Sequence, residues 1–226
     1  MQADRNDIDL SEMVSKVIES IGVKPGQTVL DFGCGSGTYT IPLASVVGKR
    51  GKVLALDKDR YALDDLIRKA DSVGLANITR LDTPGGTRIE LANNSVDVVL
   101  LFDVFHDYYF LSLAERQDLL CEIGRILKSG GILSVYPKHM ETGAKTEIES
   151  AGFSLEKEIS ITLVHDRTSP EGGQLLNFKK ADRLGWEEPI RMCQPLPGER
   201  KPADKLAKAL ARFLAEVRLR LDTDTT

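Results

Sequence analysis

Cysteine is scarce. The 226-residue chain has three (Cys34, Cys121, Cys193), widely spaced and odd in number, so neither a disulfide framework nor a zinc-ligand spacing follows. A reducing cytoplasm is the expected compartment. Long hydrophobic runs are missing too: none approaches the ~18 residues of a membrane-spanning helix. The polar, acidic N-terminus is unlike a signal peptide. Positive charge is not in excess either, the formal net charge being −4. That is no electrostatic footprint for a polyanion and argues against nucleic acid as a partner. Internal repeats and low-complexity tracts are absent. What is there, 42% hydrophobic and 28% charged residues, suits one globular α/β domain with an appendage.

Residues 29–40 read Val-Leu-Asp-Phe-Gly-Cys-Gly-Ser-Gly-Thr-Tyr-Thr. An apolar entry (Val29, Leu30) meets a carboxylate, Asp31, and glycines then alternate at Gly33, Gly35 and Gly37. This is the pattern of a first strand ending in a tight turn that opens a helix. Glycine serves there because the backbone needs unusual angles and a ligand must approach closely. A dinucleotide fingerprint, G-x-G-x-x-G, fails because the third position counted from Gly33 is Thr38. A phosphate-cradling G-x-x-x-x-G-K-[ST] fails for want of its lysine. A carboxylate at the strand end repels a pyrophosphate and suits a cation, so a ligand with an amino group and a sulfonium fits better.

Periodicity predicts a helix over 9–21 closed by Gly22, a strand at 27–32, and a helix carrying Ile41, Leu43, Ala44 and Val47. A second strand at 53–56 ends on Asp57, and a helix at 61–73 follows. Asp57 lies about 20 residues past the last glycine, the spacing at which a carboxylate meets ribose hydroxyls in nucleotide-binding α/β folds. The plainer reading is a surface Asp in a charged turn. A third strand at 78–81 leads to Asp82. The near-continuous apolar run at 96–102 fits the centre of a two-sided parallel sheet. A helix at 112–128 ends in Lys128-Ser-Gly-Gly131, before a fifth strand at 132–136 and a helix at 141–151. Strands at 153–164 and 174–180 flank Pro170-Glu-Gly-Gly173, read as the turn of an antiparallel pair.

The run Asp31-Phe-Gly33-Cys-Gly35-Ser-Gly37 resembles the first motif of the class I S-adenosylmethionine-dependent methyltransferases. Arg125-Ile-Leu-Lys-Ser-Gly130-Gly131 is similar to that family's helix–Lys-Pro-Gly-Gly–strand signature, with Ser129 where proline is usual. The resemblance covers roughly residues 10–180. It implies an α/β, Rossmann-like, seven-stranded and mostly parallel sheet with an antiparallel last strand and helices on both faces. It implies S-adenosylmethionine as methyl donor and S-adenosylhomocysteine as product. Cofactor contacts then fall to Asp31, Gly33, Gly35 and Gly37, to Asp57 and Lys58 near the ribose, and to Phe102 at the end of the fourth strand. Asp82 and Thr83 match by position the residues that face the adenine amino group, although Pro84-Gly85-Gly86 departs from the usual loop.

Methyl transfer from a sulfonium needs alignment first and a base only when the acceptor carries a proton near neutral pH. His106 is the first candidate for a base or substrate-orienting group, against a hydrogen-bonded structural histidine. Asp103 and Asp107 flank it, Tyr108 and Tyr109 follow, and Lys138 and His139 come after the fifth strand. Metal dependence is not expected, since Tyr136-Pro-Lys-His139 offers no carboxylate. A small-molecule acceptor is the expectation. Methylation of protein or RNA, and a non-catalytic S-adenosylmethionine-binding protein, are the alternatives. The expected organisation is a methyltransferase domain over 1–180 and an extension over 181–226. That extension pairs a proline-rich stretch with a basic amphipathic helix at about 203–221. The helix fits packing on its own domain, pairing two copies of the chain, or resting on a membrane surface.

Overall fold

Apolar residues occupy both parities of the central strands, and a strand turns successive side chains to opposite faces. Such a sheet needs covering on both sides. The computed structural model describes residues 5–180 except 111, 141–142 and 166–168. All of them fall in the first of two units, Met1–Ile190 and Arg191–Thr226, so the predicted extension over 181–226 lies outside the described residues. The chain runs α1 (Arg5–Ile21), β1 (Thr28–Phe32), α2 (Thr40–Val47), β2 (Lys52–Asp57), α3 (Arg60–Ser72), β3 (Ile78–Asp82), β4 (Val96–Phe102), α4 (Leu113–Ile126), β5 (Leu127–Tyr136), α5 (Ala144–Ser150), β6 (Phe153–His165) and β7 (Ser169–Lys180). The strands form one seven-stranded sheet in the order β3-β2-β1-β4-β5-β7-β6. Strands β1 to β5 are parallel, and β7 alone runs against its neighbours.

Odd and even strand positions feed separate cores. Val29, Val53, Val98 and Leu100 pack with α1 and α2 through Val17, Ile21, Leu43 and Val47. Leu30, Phe32, Leu54, Val99 and Leu101 pack with α4 and α5 through Leu120, Ile123 and Ile148. The loop from Thr83 to Ser95 covers part of that second face with buried Ile89. Arg125 holds it by donating to the carbonyls of Ile89 and Leu91, both at 2.7 Å. The predicted seven-stranded, mostly parallel α/β architecture is thus present. Gly22 ends α1 as expected: its φ is 81°, and its N–H reaches back to Ile18 and Glu19.

Two boundaries differ from the sequence reading. Helix α4 stops at Ile126, and Leu127–Gly131 already belong to β5. Gly130 has φ 68°, and the β4–β5 register shifts between Val96 and Val98. A bulge with a left-handed glycine lets the strand start early where periodicity suggested a terminator. At the other end, Pro170–Gly173 is no turn. It lies inside β7, paired with Val164 back to Ile161, and the two strands stay paired up to His165↔Ser169. Strand β7 meets β5 only from Leu176 to Lys179. Its first residues therefore have one open side, where a proline costs no ladder bond. This unsupported stretch of β6 and β7 is an arm that reaches past Val135, beyond the C-terminal ends of the parallel strands.

Candidate functional site

Ligands in open α/β sheets sit outside the carboxyl ends of the strands. A cavity of about 780 Å³ lies there, near the top of the ~300–1,000 Å³ range of small-molecule clefts. Its floor is the glycine turn. Gly33 and Cys34 donate their N–H groups to the Leu56 carbonyl at 2.8 and 3.2 Å, which folds the turn back onto β2. Gly33 has φ 77°, and a Cβ there would stand 2.3 Å from Val104 Cγ1. Gly35 has φ 51°, and a Cβ there meets no protein atom within 4 Å. Gly37, with φ 93°, is pressed against Leu66, 2.9 Å from where its Cβ would be. It serves the packing of α3 rather than the cavity.

Two carboxylates hold this end of the cavity. Asp31 is 4% exposed and accepts from the Thr40 hydroxyl at 2.6 Å. Burial pushes its pKa up to about 6, against the pull of the Thr40 hydrogen bond, and the charge of nearby Asp57 adds to the rise. An anion so placed favours a cationic ligand. Asp57 accepts from the Gly35 N–H at 2.7 Å through one oxygen and from the Asp59 N–H at 2.8 Å through the other. Asp59 in turn caps α3 by accepting from Tyr61 and Ala62. The carboxylate at the end of β2 is thus aimed at the glycine turn. The thiol of Cys34 is buried and pushed well above its ordinary range by desolvation, so it is no nucleophile.

The opposite end is aromatic. Phe102, Asp103, His106, Tyr109 and His139 line it. His106 Nδ1 accepts from the Tyr108 N–H at 3.1 Å. Since that donor can only donate, the ring proton sits on Nε2, which faces the Asp103 carbonyl at 3.2 Å. Both ring nitrogens are engaged with backbone, as in the plainer reading of this residue, while the ring itself borders the cavity. Burial holds the His106 pKa below 6.5, with the Asp103 carboxylate 3.7 Å away opposing that shift. In acid the unfolded chain therefore takes up a proton here before the folded one does. Stability from this group is lost as pH falls from 6.5 through the lower folded value. Asp31 titrates in the same range with the opposite sign, so the two are separated by comparison. The wild type is expected to lose more stability between pH 7 and pH 5 than His106→Gln, measured by urea midpoints. Equal losses would remove burial as the cause.

The structure brings Asp31, Gly33, Gly35, Asp57, Lys58, Phe102, Asp103, His106 and His139 to this one cavity. It does not bring Asp82 and Thr83 there. Asp82 takes both Nε and an Nη of Arg80 at 2.7 Å, with Arg60 at 3.9 Å. Thr83 accepts from the Gly85 N–H at 3.2 Å. Residues that sequence reasoning did not select also line the cavity: Tyr39, Tyr136 and Val164. The Tyr39 hydroxyl accepts from the Val164 N–H at 3.1 Å and donates to its carbonyl at 3.4 Å. Lys138 pairs with Glu171 at 2.7 Å. Both ties seat the β6–β7 arm beside the cavity, and nothing local in the sequence announces a contact 125 residues apart.

A sheet of this order, with a glycine turn after β1 and a carboxylate ending β2, defines the class I methyltransferase fold. Residues 30–135 match the family described as methyltransferase domain, and that segment is a methyltransferase domain of the S-adenosylmethionine-dependent, class I kind. The chain is similar to the demethylmenaquinone methyltransferase of Bacillus cereus (strain AH187), 32% identical over 111 residues, covering 48% of this chain and 44% of the relative. Among solved structures, a SAM-dependent methyltransferase from Aquifex aeolicus shares the fold with a TM-score of 0.63. It is 24% identical over 74% of this chain and 89% of the other. The [4+2]-cyclase SpnF shares it too, with TM-score 0.58 and 16% identity over 75% of this chain and 81% of that one. The chain spans less than half the length of the first curated relatives it matches, 33% in one case and 47% in another. No helix among the described residues is long and apolar enough to cross a membrane.

Proposed function

We propose that this protein binds S-adenosylmethionine in the cavity above β1, β2 and β4 and transfers its methyl group to a small-molecule acceptor. The observation that carries the reading is Asp31. It is a buried carboxylate facing the same space as the open Cβ position of Gly35 and the carboxylate of Asp57. Asp31 suits the donor's ammonium group, Gly35 lets the donor lie close to the backbone, and Asp57 has lone pairs for the ribose hydroxyls. When bound, the donor supplies an already activated methyl group. The chain's task is to hold it in line with the acceptor and keep water out. A small acceptor agrees with the named activity of the curated relative and with the formal charge of −4. SpnF shows that the fold alone does not fix the reaction. Binding and turnover therefore need separate tests.

Isothermal titration with S-adenosylhomocysteine tests the donor site. Asp57→Ala is expected to raise the Kd about 10- to 100-fold, the worth of charge-assisted hydrogen bonds of about 1.5–3 kcal/mol. An unchanged Kd removes Asp57 from the site, and no binding by the wild type removes the reading itself. Release of S-adenosylhomocysteine from S-adenosylmethionine over a panel of phenols, thiols and amines then separates an enzyme from a binder.

A further inference from the structure

The cavity is chemically divided. Beside β1 and β2 it presents glycines and carboxylates. After β4 and β5 it presents rings. His106 and Tyr109 lie 4.9 Å apart between ring centroids. His106 and His139 meet at 5.5 Å and 83°, and Tyr108 and Tyr109 at 5.2 Å and 84°. Tyr108 is 79% exposed and Tyr109 43%, whereas Phe105 in the same loop is completely buried. Rings left uncovered at the mouth of a cavity, next to rings that the core did absorb, are a surface for something else to cover. Lys58 places its ammonium 4.6 Å from the centroid of Tyr109, and it is the single lysine or arginine among the described residues that line the cavity.

We propose that this aromatic corner is the acceptor subsite, and that it takes a planar aromatic ring bearing an ionisable hydroxyl. The inference rests on the donor reading above. Two near-perpendicular ring pairs leave a right-angled recess. A flat ring gains an offset stack on one face and an edge contact on the other, and a saturated ring of similar volume gains neither. The hydroxyl must ionise readily because the ring nitrogens of His106 are both engaged with backbone and take no proton. A phenol, with a pKa near 10 in water, ionises more easily beside the Lys58 ammonium, while an ammonium acceptor is repelled by it. The step balances without a further reagent. The phenol releases its proton to solvent, and the phenolate oxygen attacks the methyl carbon. The C–S bond breaks with its electron pair going to sulfur, leaving an aryl methyl ether and the neutral thioether S-adenosylhomocysteine.

The test uses the full chain saturated with S-adenosylhomocysteine, titrated with 2-naphthol, decahydro-2-naphthol and 2-naphthylmethanol. The first has the flat ring and the ionisable hydroxyl, the second lacks the ring, and the third keeps the ring with a hydroxyl that does not ionise. 2-Naphthol is expected to bind at least tenfold more tightly than decahydro-2-naphthol and severalfold more tightly than 2-naphthylmethanol. Tyr108→Leu, at a highly exposed position that a folded chain tolerates, is expected to raise the 2-naphthol Kd about tenfold and to leave the S-adenosylhomocysteine Kd within twofold. Equal binding of 2-naphthol and its saturated analogue overturns the aromatic subsite and leaves the donor reading standing. Equal binding of 2-naphthol and 2-naphthylmethanol overturns the requirement for an ionisable hydroxyl. If S-adenosylhomocysteine itself does not bind, the donor reading fails and this inference falls with it.

Discussion

Asp31→Asn is expected to make the ligand-free protein more stable and its donor complex weaker. The folded chain keeps a proton on Asp31 up to about pH 6, against 3.8 for an unperturbed carboxyl. Between those values the folded state binds a proton that the unfolded state has released, so stability declines as pH rises through the interval. At pH 7.5 the ionised, buried carboxylate costs the fold up to about 3 kcal/mol. Asparagine keeps an oxygen for the Thr40 hydroxyl and carries no charge. A gain of about 1–3 kcal/mol is expected, which raises Tm by several degrees in a chain of this size. S-adenosylhomocysteine should then bind about 10- to 100-fold more weakly, because its ammonium loses a charged partner. In the wild type the same coupling weakens donor binding as pH drops through 6. A variant less stable than the wild type at pH 7.5 would show that Asp31 is not held at a cost, and the ammonium assignment would lose its basis. Carrying a strained charge for a ligand is a familiar trade of stability against function.

Gly33→Ala and Gly35→Ala should fail in different ways, although both lie in one turn. At Gly33 a methyl group meets Val104 Cγ1 at 2.3 Å, and φ is 77°. Left-handed backbone costs an L-residue about 1–2 kcal/mol, and forced overpacking adds about 1–3. A loss of about 3–5 kcal/mol is expected by chemical denaturation. Adding Val104→Ala should recover the packing part and not the backbone part, since Val104 Cβ stands 3.5 Å from the new methyl. At Gly35 no protein atom lies within 4 Å of the added carbon, and φ is 51°. The expected stability loss is therefore only about 1 kcal/mol, while donor binding weakens more than tenfold because the methyl enters the ligand's space. Two variants with the same stability, or a Gly35→Ala protein that binds the donor normally, would contradict this division.

The legible and illegible parts of the molecule differ in sequence range. Strands β1, β2 and β4 could be read because both faces are buried and their apolar runs are continuous. The glycine turn could be read because positive φ at Gly33, Gly35 and Gly37 restricts residue choice at fixed spacing. Asp57 was found by its distance from that turn, and it accepts from Gly35 itself. The limits of α4 and of the hairpin were misread for one reason. Gly130 and the pair Gly172-Gly173 were taken as terminators, and each instead sits inside a strand. Tyr39 and Val164 could not be joined from sequence, because hydrogen bonds across 125 positions leave no periodic trace. The tautomer of His106 was equally hidden, since it depends on a backbone N–H two residues away.

The β6–β7 arm has an evolutionary consequence. The donor end of the cavity is written within a short stretch, from Asp31 to Ala62, and so can be inherited as a block. The far wall is assembled from the loop after β4, the loop after β5 and an arm held by Tyr39 and Lys138. Substitutions along the arm can alter what sits beside the donor without touching the residues that hold the donor. In such an architecture the acceptor can drift between descendants while the methyl source stays the same.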